Sequence, residues 1–313
     1  MRRTALLGFC SLLASAFLFA VSGPIAKTLY DGGWSPGAVL LVRVAGSAIV
    51  LLPATAHALR GHWALVARHW GSIVAYGAVC FAGMQGFFFL AIEHLSVTLA
   101  QLIQMTAPVM VVFWLWLRTR RRPSNLTFLG VAVAVGGILL LLDPRGSPLS
   151  LAGVLLAFAA ALCTVVYFLV SAKQRTPLPP AAYIGLSMAA GALVVMASGA
   201  ARIIPLEFTL SDVPFAGLDL PAAVPLMLLV VFTVAAYLLG IVGLRCIGPT
   251  VGSFTSFSEV PFAALAAWIL LAEFPDPALV TGGMLILGGI ALVKCGDIVS
   301  ARRRRTAAPA TVP

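Results

Sequence analysis

The stretch GPTVGSFTSFSEVPFAALAAWIL, residues 248–270, aligns with an earlier stretch of the same chain, LSVTLAQLIQMTAPVMVVFWLWL, residues 95–117. The alignment places Pro261 over Pro108. Both stretches are apolar enough to cross a lipid bilayer, yet the second carries an acidic residue, Glu259, near its middle. A matched pair of this kind predicts an internal duplication.

A second pair of stretches follows at nearly the same offset and strengthens the duplication. LGVAVAVGGILLLL, residues 129–142, aligns with TGGMLILGGIALVK, residues 281–294, and each contains a Gly-Gly pair at the same place. Because a proline frame followed by a Gly-Gly frame occurs twice in the same order, the chain is predicted to be two copies of one unit.

Composition places the chain in the membrane. Of its 313 residues, 61% are hydrophobic and 10% are charged, which excludes a soluble protein. Ten apolar segments have about the 20 residues needed to cross ~30 Å of hydrocarbon. They are apolar all round rather than alternating, which excludes a membrane barrel. The predicted class is an all-α integral membrane protein whose ten transmembrane helices cover residues 5–27, 36–55, 71–92, 96–117, 126–142, 150–171, 181–201, 222–244, 249–271 and 278–295.

The net charge of +10 reports topology rather than nucleic-acid binding, because basic residues favour the cytoplasmic side of a membrane. With a cytoplasmic N-terminus, most basic residues fall in cytoplasmic segments: Arg2, Arg3, Arg60, Arg68, Arg118, Arg120, Arg121, Arg122, Lys173, Arg175, Arg245, Lys294 and Arg302 to Arg305. Most acids fall outside: Asp31, Glu93, Asp143, Glu207, Asp212, Asp219, Glu273 and Asp276. Both termini are therefore predicted to be cytoplasmic.

A unit of five helices is odd, so the second copy must enter the membrane in the opposite sense. The charges agree, since RTRRRP follows the fourth helix and AEFPDP follows the ninth. We expect two inverted five-helix repeats, residues 5–142 and 150–295, followed by a basic, disordered cytoplasmic tail, residues 296–313. Inverted repeats are a frequent transporter architecture, with the substrate site near the midplane, although some membrane enzymes are also duplicated.

The sequence predicts no cofactor, metal or ATP site. The five cysteines lack C-x-x-C spacing, and the three histidines of the loop after the second helix fit no metal pattern. None of the lysines follows a glycine, so there is no G-K-[ST] phosphate loop. No nucleophile–base constellation is visible. We therefore expect a protein that is not an enzyme, while the sequence leaves its oligomeric state open.

Three stretches resemble the drug/metabolite transporter superfamily in its ten-helix EamA branch. SEVPFAALAAWILLAEFPDPALVTGGMLILGGIALV, residues 258–293, is similar to the family's E-P-x-x-A…G-E…G-x-x-x-I-x-x-G run. GVLLAFAAALCTVVYFLVSAKQ, residues 153–174, resembles its sixth helix, and SGPIAKTLYDGGWSPGAVLLVRVAGSAIVLL, residues 22–52, its first helix pair. The last stretch, together with MTAPVMVVF, residues 105–113, is most like the threonine/homoserine exporters. Two features depart from the family pattern: Arg120–Arg121 replaces a glutamate, and Val260 separates the glutamate from the proline.

The resemblance implies a central cavity surrounded by helices one to four and six to nine, with helices five and ten outside it. It implies a multi-pass transporter of the bacterial inner membrane. We expect a secondary-active exporter of small polar metabolites such as amino acids, working by alternating access, with a small-molecule substrate and the lipid bilayer as partners. The alternative is an integral membrane enzyme or a lipid flippase acting on a lipid-linked substrate.

Glu259 is the leading candidate for the substrate cavity or for ion coupling. It lies near the midplane of the ninth predicted helix, where acids are costly and commonly functional. Thr255 and Ser256 precede it, and Ser256 lies one turn earlier on the same helix face. A proton is the candidate coupling ion. The alternative is a structural carboxylate satisfied by hydroxyl groups or by an arginine.

Arg43 is the second candidate, because it is a basic residue inside the second predicted helix. Its guanidinium could pair with Glu259, either as a fixed strut or as part of a switch. It could instead bind a substrate carboxylate, which suits its planar fork of donors. The sequence leaves both roles open.

The fourth helix adds two amides and a proline to the candidate site. Gln101 and Gln104 lie three residues apart on one face, and the equivalent of Gln104 in the second copy is Phe257. The amides could line the cavity or hydrogen bond between helices. Pro108 and Pro261 each remove a helix hydrogen bond and are the predicted hinges for rocking.

Overall fold

The structure, a computed structural model, describes residues 2–60, 63–120, 122, 124–141, 150–173, 178–209, 211–215, 217–255, 258–272, 274 and 277–307. Most of these residues are helical. The helices are α1 (Arg2–Asp31), α2 (Pro36–Ala58), α3 (Trp63–Tyr76), α4 (Met84–His94), α5 (Val97–Gln104), α6 (Ala107–Thr119), α7 (Asn125–Leu141), α8 (Leu151–Lys173), α9 (Pro180–Ala200), α10 (Ala223–Thr255), α11 (Glu259–Leu271) and α12 (Pro277–Ala307).

The chain forms two compact units that do not coincide with the sequence repeats. The first unit combines Met1–Gln104 with Ser150–Phe274 and so contains α1–α5 and α8–α11. The second combines Met105–Leu149 with Pro275–Pro313 and contains α6, α7 and α12. The last helix of each sequence repeat, α7 or α12, therefore belongs to the second unit.

In the first unit, α2 packs antiparallel to α9, its equivalent in the second repeat. A Cβ atom on Gly185 of α9 would lie 2.5 Å from the Thr55 hydroxyl oxygen, near the end of α2. At the other end, a Cβ atom on Gly37 would lie 2.6 Å from the carbonyl oxygen of Pro205, beyond the end of α9. These close approaches fix opposite directions for two helices that the sequence places at the same position of the repeat.

The second unit shows the same relationship between α7 and α12. A Cβ atom on Gly137 would lie 2.7 Å from the carbonyl oxygen of Gly282, and one on Gly130 would lie 2.5 Å from that of Gly289. The pairing is crossed and reciprocal, because Gly130 is the repeat equivalent of Gly282. Equivalent helices therefore run in opposite directions inside each unit, as an inverted repeat requires.

Several helices have the length and composition of membrane spans. Within the described residues, five are long and apolar enough to cross a bilayer: Leu6–Asp31, Pro36–Ala58, Trp63–His94, Ala181–Ala200 and Ala223–Gly240. Shorter apolar helical stretches are Asn125–Gly137, Leu151–Tyr167, Glu259–Leu271 and Val280–Val293. These helices indicate a multi-pass membrane protein. The number of membrane crossings and the side of the membrane on which the termini lie stay predictions.

Two predicted spans are interrupted just before their prolines. The span predicted at 96–117 is divided into α5 and α6, and Pro108 lies in the first turn of α6. The span predicted at 249–271 is divided between α10 and α11, and Pro261 lies in the first turn of α11. Proline lacks an N–H group and its ring clashes with the preceding turn, so a helix starts there more readily than it continues.

Two other details differ from the sequence expectations. The break expected at 245–248 is absent because α10 continues through it to Thr255, even though Gly248 is a poor helix former. Helix α12 extends to Ala307, through most of the expected disordered tail. Arginines favour helix and stabilise its C-terminal end, which explains the extension.

A small β-hairpin precedes α10, so the described chain is not entirely helical as the sequence predicted. Strands β1 (Asp212–Phe215) and β2 (Leu218–Pro221) pair antiparallel, with Val213 opposite Leu220. The segment leading into the hairpin packs on the turn between α1 and α2, where the Ser35 hydroxyl donates to the carbonyl oxygen of Pro205 at 2.7 Å. These two connections therefore lie at the same end of the first unit.

Candidate functional site

Arg43 is a buried cation in the first unit, only 2% exposed. It lies on α2, seven residues from the helix start and so about 10 Å along the axis at 1.5 Å per residue. Its Nε donates to the Thr233 hydroxyl at 2.7 Å, and its Nη1 donates to the Gln85 carbonyl oxygen at 2.9 Å. The Phe89 ring centroid lies 5.1 Å from Cζ. The guanidinium is thus held by neutral groups from α4 and α10.

The partners of Arg43 are themselves fixed. The Thr233 hydroxyl donates to the carbonyl oxygen of Leu229 at 2.6 Å, so its oxygen is left to accept from Arg43. The Gln85 side chain is also hydrogen bonded to the Tyr237 hydroxyl. This second layer orients both acceptors towards the guanidinium.

Glu259 and Gln101 form a separate polar pair in the same unit. The Gln101 amide nitrogen donates to a carboxylate oxygen of Glu259 at 3.1 Å. Gln101 lies on α5 and is 6% exposed, whereas Glu259 is the first residue of α11 and is partly buried. The pair therefore joins a helix of the first repeat to the helix that follows the break in the second.

The two fourth-helix glutamines face different partners. Gln104 donates through its amide nitrogen to the Thr164 hydroxyl on α8 at 3.3 Å, while Gln101 faces α11. Thr164 in turn donates to the carbonyl oxygen of Ala160 at 2.9 Å. The two amides of α5 therefore bind two different helices, α11 and α8.

Arg43 and Glu259, which the sequence offered as partners, have different partners in the structure. Among the described residues, no hydrogen bond or ion pair joins them, since Arg43 binds Thr233 and Gln85 and Glu259 binds Gln101. A direct strut between the two charges is therefore not formed in this conformation.

Aromatic rings connect the region of Arg43 to the region of Glu259. Tyr237 packs edge-on against Phe81, with ring centroids 5.2 Å apart, and the ring centroids of Phe81 and Tyr76 are 5.8 Å apart. Tyr76 is next to Tyr167 at 6.0 Å, and Tyr167 lies within electrostatic range of Glu259. A band of packed aromatic rings thus runs through the first unit.

A π-helical segment, Gly77–Gly83, contributes Phe81 to this band. It lies between α3 and α4, and its close contact with α9 depends on a pair of glycines. A Cβ atom on Gly77 would lie 2.8 Å from the backbone nitrogen of Gly191. Single π-helical turns inside helices are frequent at functional sites.

The remaining candidate residues are only partly described. Ser256 and Phe257 lie outside the described residues, and Thr255 is the last residue of α10, with its side chain also outside the description. Pro108 is placed in the first turn of α6 by its backbone, and Pro261 is an exposed residue in the first turn of α11.

No candidate metal centre is found in the part of the chain that the structure describes. There, no group of three or more histidine, cysteine, aspartate or glutamate side chains is arranged to hold a metal ion. The polar chemistry of the described site therefore comes from one guanidinium, one carboxylate, amides and hydroxyls.

Several site residues were missed by the sequence analysis. Gln85, Thr233 and Phe89 are the partners of Arg43, yet none was a candidate. Gln85 could have been found, because it is an amide in the apolar stretch GMQGFFF, residues 83–89. Thr233 carried no such signal, since single threonines in membrane helices commonly bond to their own backbone.

Comparisons with known proteins agree with this architecture. A family model described as "EamA-like transporter family" matches the chain twice, over residues 6–143 and 151–295. The "Uncharacterized transporter YwfM" of Bacillus subtilis (strain 168) is 26% identical over 302 residues, which are 95% of each chain. A protein of known crystal structure has a TM-score of 0.58 with 19% identity, covering 97% of this chain and 99% of that one, a likeness of fold alone.

Proposed function

Because this chain belongs to the EamA-like transporter family, we propose that it is a secondary-active transporter that exports small polar metabolites such as amino acids. It works by alternating access in a bacterial inner membrane, with both termini in the cytoplasm. The observation that carries the substrate class is the buried polar set of the first unit, which centres on Arg43 and on the Gln101–Glu259 pair.

The chemistry of this polar set favours a small polar solute over a lipid tail. A guanidinium and a carboxylate are expensive in hydrocarbon and are retained where they bind a ligand or an ion. The amide and hydroxyl groups around them supply directional hydrogen bonds, and the aromatic band supplies apolar contact. This combination orients a small polar molecule rather than merely enclosing it.

The paired helix breaks support a rocking mechanism. Thr106 precedes α6 and Glu259 begins α11, and the two residues occupy equivalent positions of the repeats. Interrupted helices at equivalent places of an inverted repeat are typical of alternating-access transporters. Pro108 and Pro261 act as the hinges in this proposal, because each lies in the first turn after its break.

Glu259 is the coupling residue in this proposal, and a proton is the coupling ion. Its carboxylate is partly buried, and its described hydrogen-bond donor is the neutral amide of Gln101 rather than a cation. A carboxylate held in this way can accept a proton without breaking an ion pair. Loss or gain of that proton would change the charge of the site as the two repeats rock.

The experiment is counterflow in liposomes that contain the purified protein. Liposomes loaded with an unlabelled amino acid should accumulate the same labelled compound from outside. A growth-rescue screen with excess amino acids in an exporter-deficient host would identify the compound to use. Chemical turnover of a lipid-linked substrate, or lipid scrambling, without any solute flux would reject transport in favour of a membrane enzyme or a flippase.

A further inference from the structure

Most of the N–H donors of Arg43 have no acceptor among the described residues. A guanidinium carries five N–H donors. The structure uses one on Nε, towards Thr233, and one on Nη1, towards Gln85. Among the described residues, Nη2 has no acceptor. One edge of the fork, made by Nη2 and the second hydrogen of Nη1, is therefore without an acceptor among the described residues.

The charge of Arg43 is also without a described counter-ion. The guanidinium stays protonated in proteins, and leaving a buried charge without a partner is strongly unfavourable. Its described neighbours are the Gln85 amide, the Thr233 hydroxyl, the Phe89 ring and the phenols of Tyr30 and Tyr237, all neutral. Glu259, the acid predicted to lie at bilayer depth, is bonded to Gln101 instead. The site therefore has one positive charge to offer to an anion.

The guanidinium is held in a fixed orientation, as a binding site requires. Thr233 and Gln85 hold two of its nitrogens, and the Phe89 face lies 5.1 Å from its central carbon. A planar fork with two parallel N–H groups matches a carboxylate, which accepts both bonds in one plane. The Tyr237 hydroxyl, next to Gln85, supplies a further polar group at the same site.

We propose that the free edge of Arg43 binds the carboxylate group of the transported substrate, an assignment that rests on the transport function proposed above. The substrates are then free carboxylic acids, zwitterionic amino acids included, and the matching carboxamides, which lack the carboxylate, are excluded. Gln85 and Thr233 are positioning residues that hold the guanidinium in place.

Ligand binding to the purified protein tests this assignment independently of transport. Thermal unfolding is measured with a panel of L-amino acids and small mono- and dicarboxylates, each paired with its carboxamide. A ligand that binds the folded state raises the unfolding temperature by mass action. At least one free acid should do so, while its carboxamide should not. The assignment is overturned if a carboxamide raises the unfolding temperature as much as its acid does. It is also overturned if no acid in the panel raises the unfolding temperature.

Two variants probe the residue itself. Arg43→Lys keeps the charge but loses the fork, so the affinity for the acid should fall about tenfold or more, as expected for losing a charge-assisted hydrogen bond. Gln85→Glu gives Arg43 an internal carboxylate, which should protect folding and block the response to the acid. Arg68→Gln removes an exposed arginine and is the matched control, which should respond fully.

The outcomes separate the site from the transport function. A wild-type response retained in Gln85→Glu overturns the assignment, even if Arg43 variants fold poorly. Binding of an acid that depends on Arg43, without any counterflow of that acid in liposomes, supports the binding site and rejects the proposed transport function.

Discussion

Gln101 on α5 donates a hydrogen bond of 3.1 Å to Glu259 on α11, across 158 residues of sequence. The bond links the two halves of a duplicated chain at the point where the second half interrupts its helix. Glu259 is also one turn before Phe262, which packs edge-on against Phe17 of α1 at 5.4 Å.

Glu259→Gln should uncouple transport from the pH gradient. The substitution keeps the shape of the side chain and can still hydrogen bond to Gln101, but it cannot ionise. Uptake driven by a pH gradient should fall to background, while exchange of the labelled substrate at equal pH should remain. Both are measured in liposomes with the same preparation.

Glu93→Gln is the control for this substitution, because Glu93 is an exposed carboxylate at the end of α4. It should keep both activities. If Glu259→Gln folds and also keeps normal gradient-driven uptake, the coupling role is rejected. Loss of both activities together with a lower unfolding temperature would instead indicate a structural carboxylate.

Gly137→Ala should destabilise the second unit. A Cβ atom there would lie 2.7 Å from the carbonyl oxygen of Gly282, too close for α7 and α12 to keep their packing. Overpacking of this kind costs about 1–3 kcal/mol. The measurement is the unfolding temperature of the purified protein in detergent, which should fall.

Gly136→Ala is the matched control for Gly137→Ala. A Cβ atom on Gly136 meets no atom within 4 Å, and the same is true of its repeat equivalent Gly288. Both alanine variants should unfold at or above the wild-type temperature, because alanine favours helix over glycine. Equal destabilisation at the adjacent positions 136 and 137 would show that the helix contact is not the cause.

Pro261→Ala should slow transport without weakening substrate binding. Removing the proline restores an N–H group and allows the helix to continue across the break, which stiffens the proposed hinge. The maximal counterflow rate should fall and the half-saturating concentration should stay unchanged. Pro53→Ala, in the interior of α2, is the control and should change the rate less. A lower rate in the control alone would reject the hinge.

Cysteine labelling should establish the topology. Asp219 is exposed in the hairpin segment, and Arg122 lies before α7. In a background without native cysteines, Asp219→Cys should react with a membrane-impermeant maleimide in intact cells, and Arg122→Cys only after lysis. Labelling of Arg122→Cys in intact cells would reverse the predicted orientation.

Much of the packing of the second unit could be predicted from the sequence. The Gly-Gly repeat predicted two equivalent helices, and charge sorting predicted that they run in opposite directions. Glycine 137 and its counterparts then make the contact, because only a residue without a side chain lets two helix backbones approach so closely. The sequence could not say which glycine of each pair faces the other helix.

The helix breaks were harder to predict. Pro108 and Pro261 indicated kinks, but the structure starts a new helix at each. Hydropathy cannot distinguish a kinked helix from two helices, since an apolar segment stays apolar whether its backbone is continuous or interrupted. The same limit hid the continuation of α10 through residues 245–248.

The sequence alone determined the environment of the chain and its duplication, and it predicted a short set of polar residues at bilayer depth. These follow from side-chain hydrophobicity and charge, which a bilayer sorts strictly. Only the tertiary structure decided the partners: Arg43 with Thr233, 190 residues away, and Glu259 with Gln101. Position along a helix fixes the depth of a side chain, but its partner depends on how each helix is rotated and which helix packs beside it.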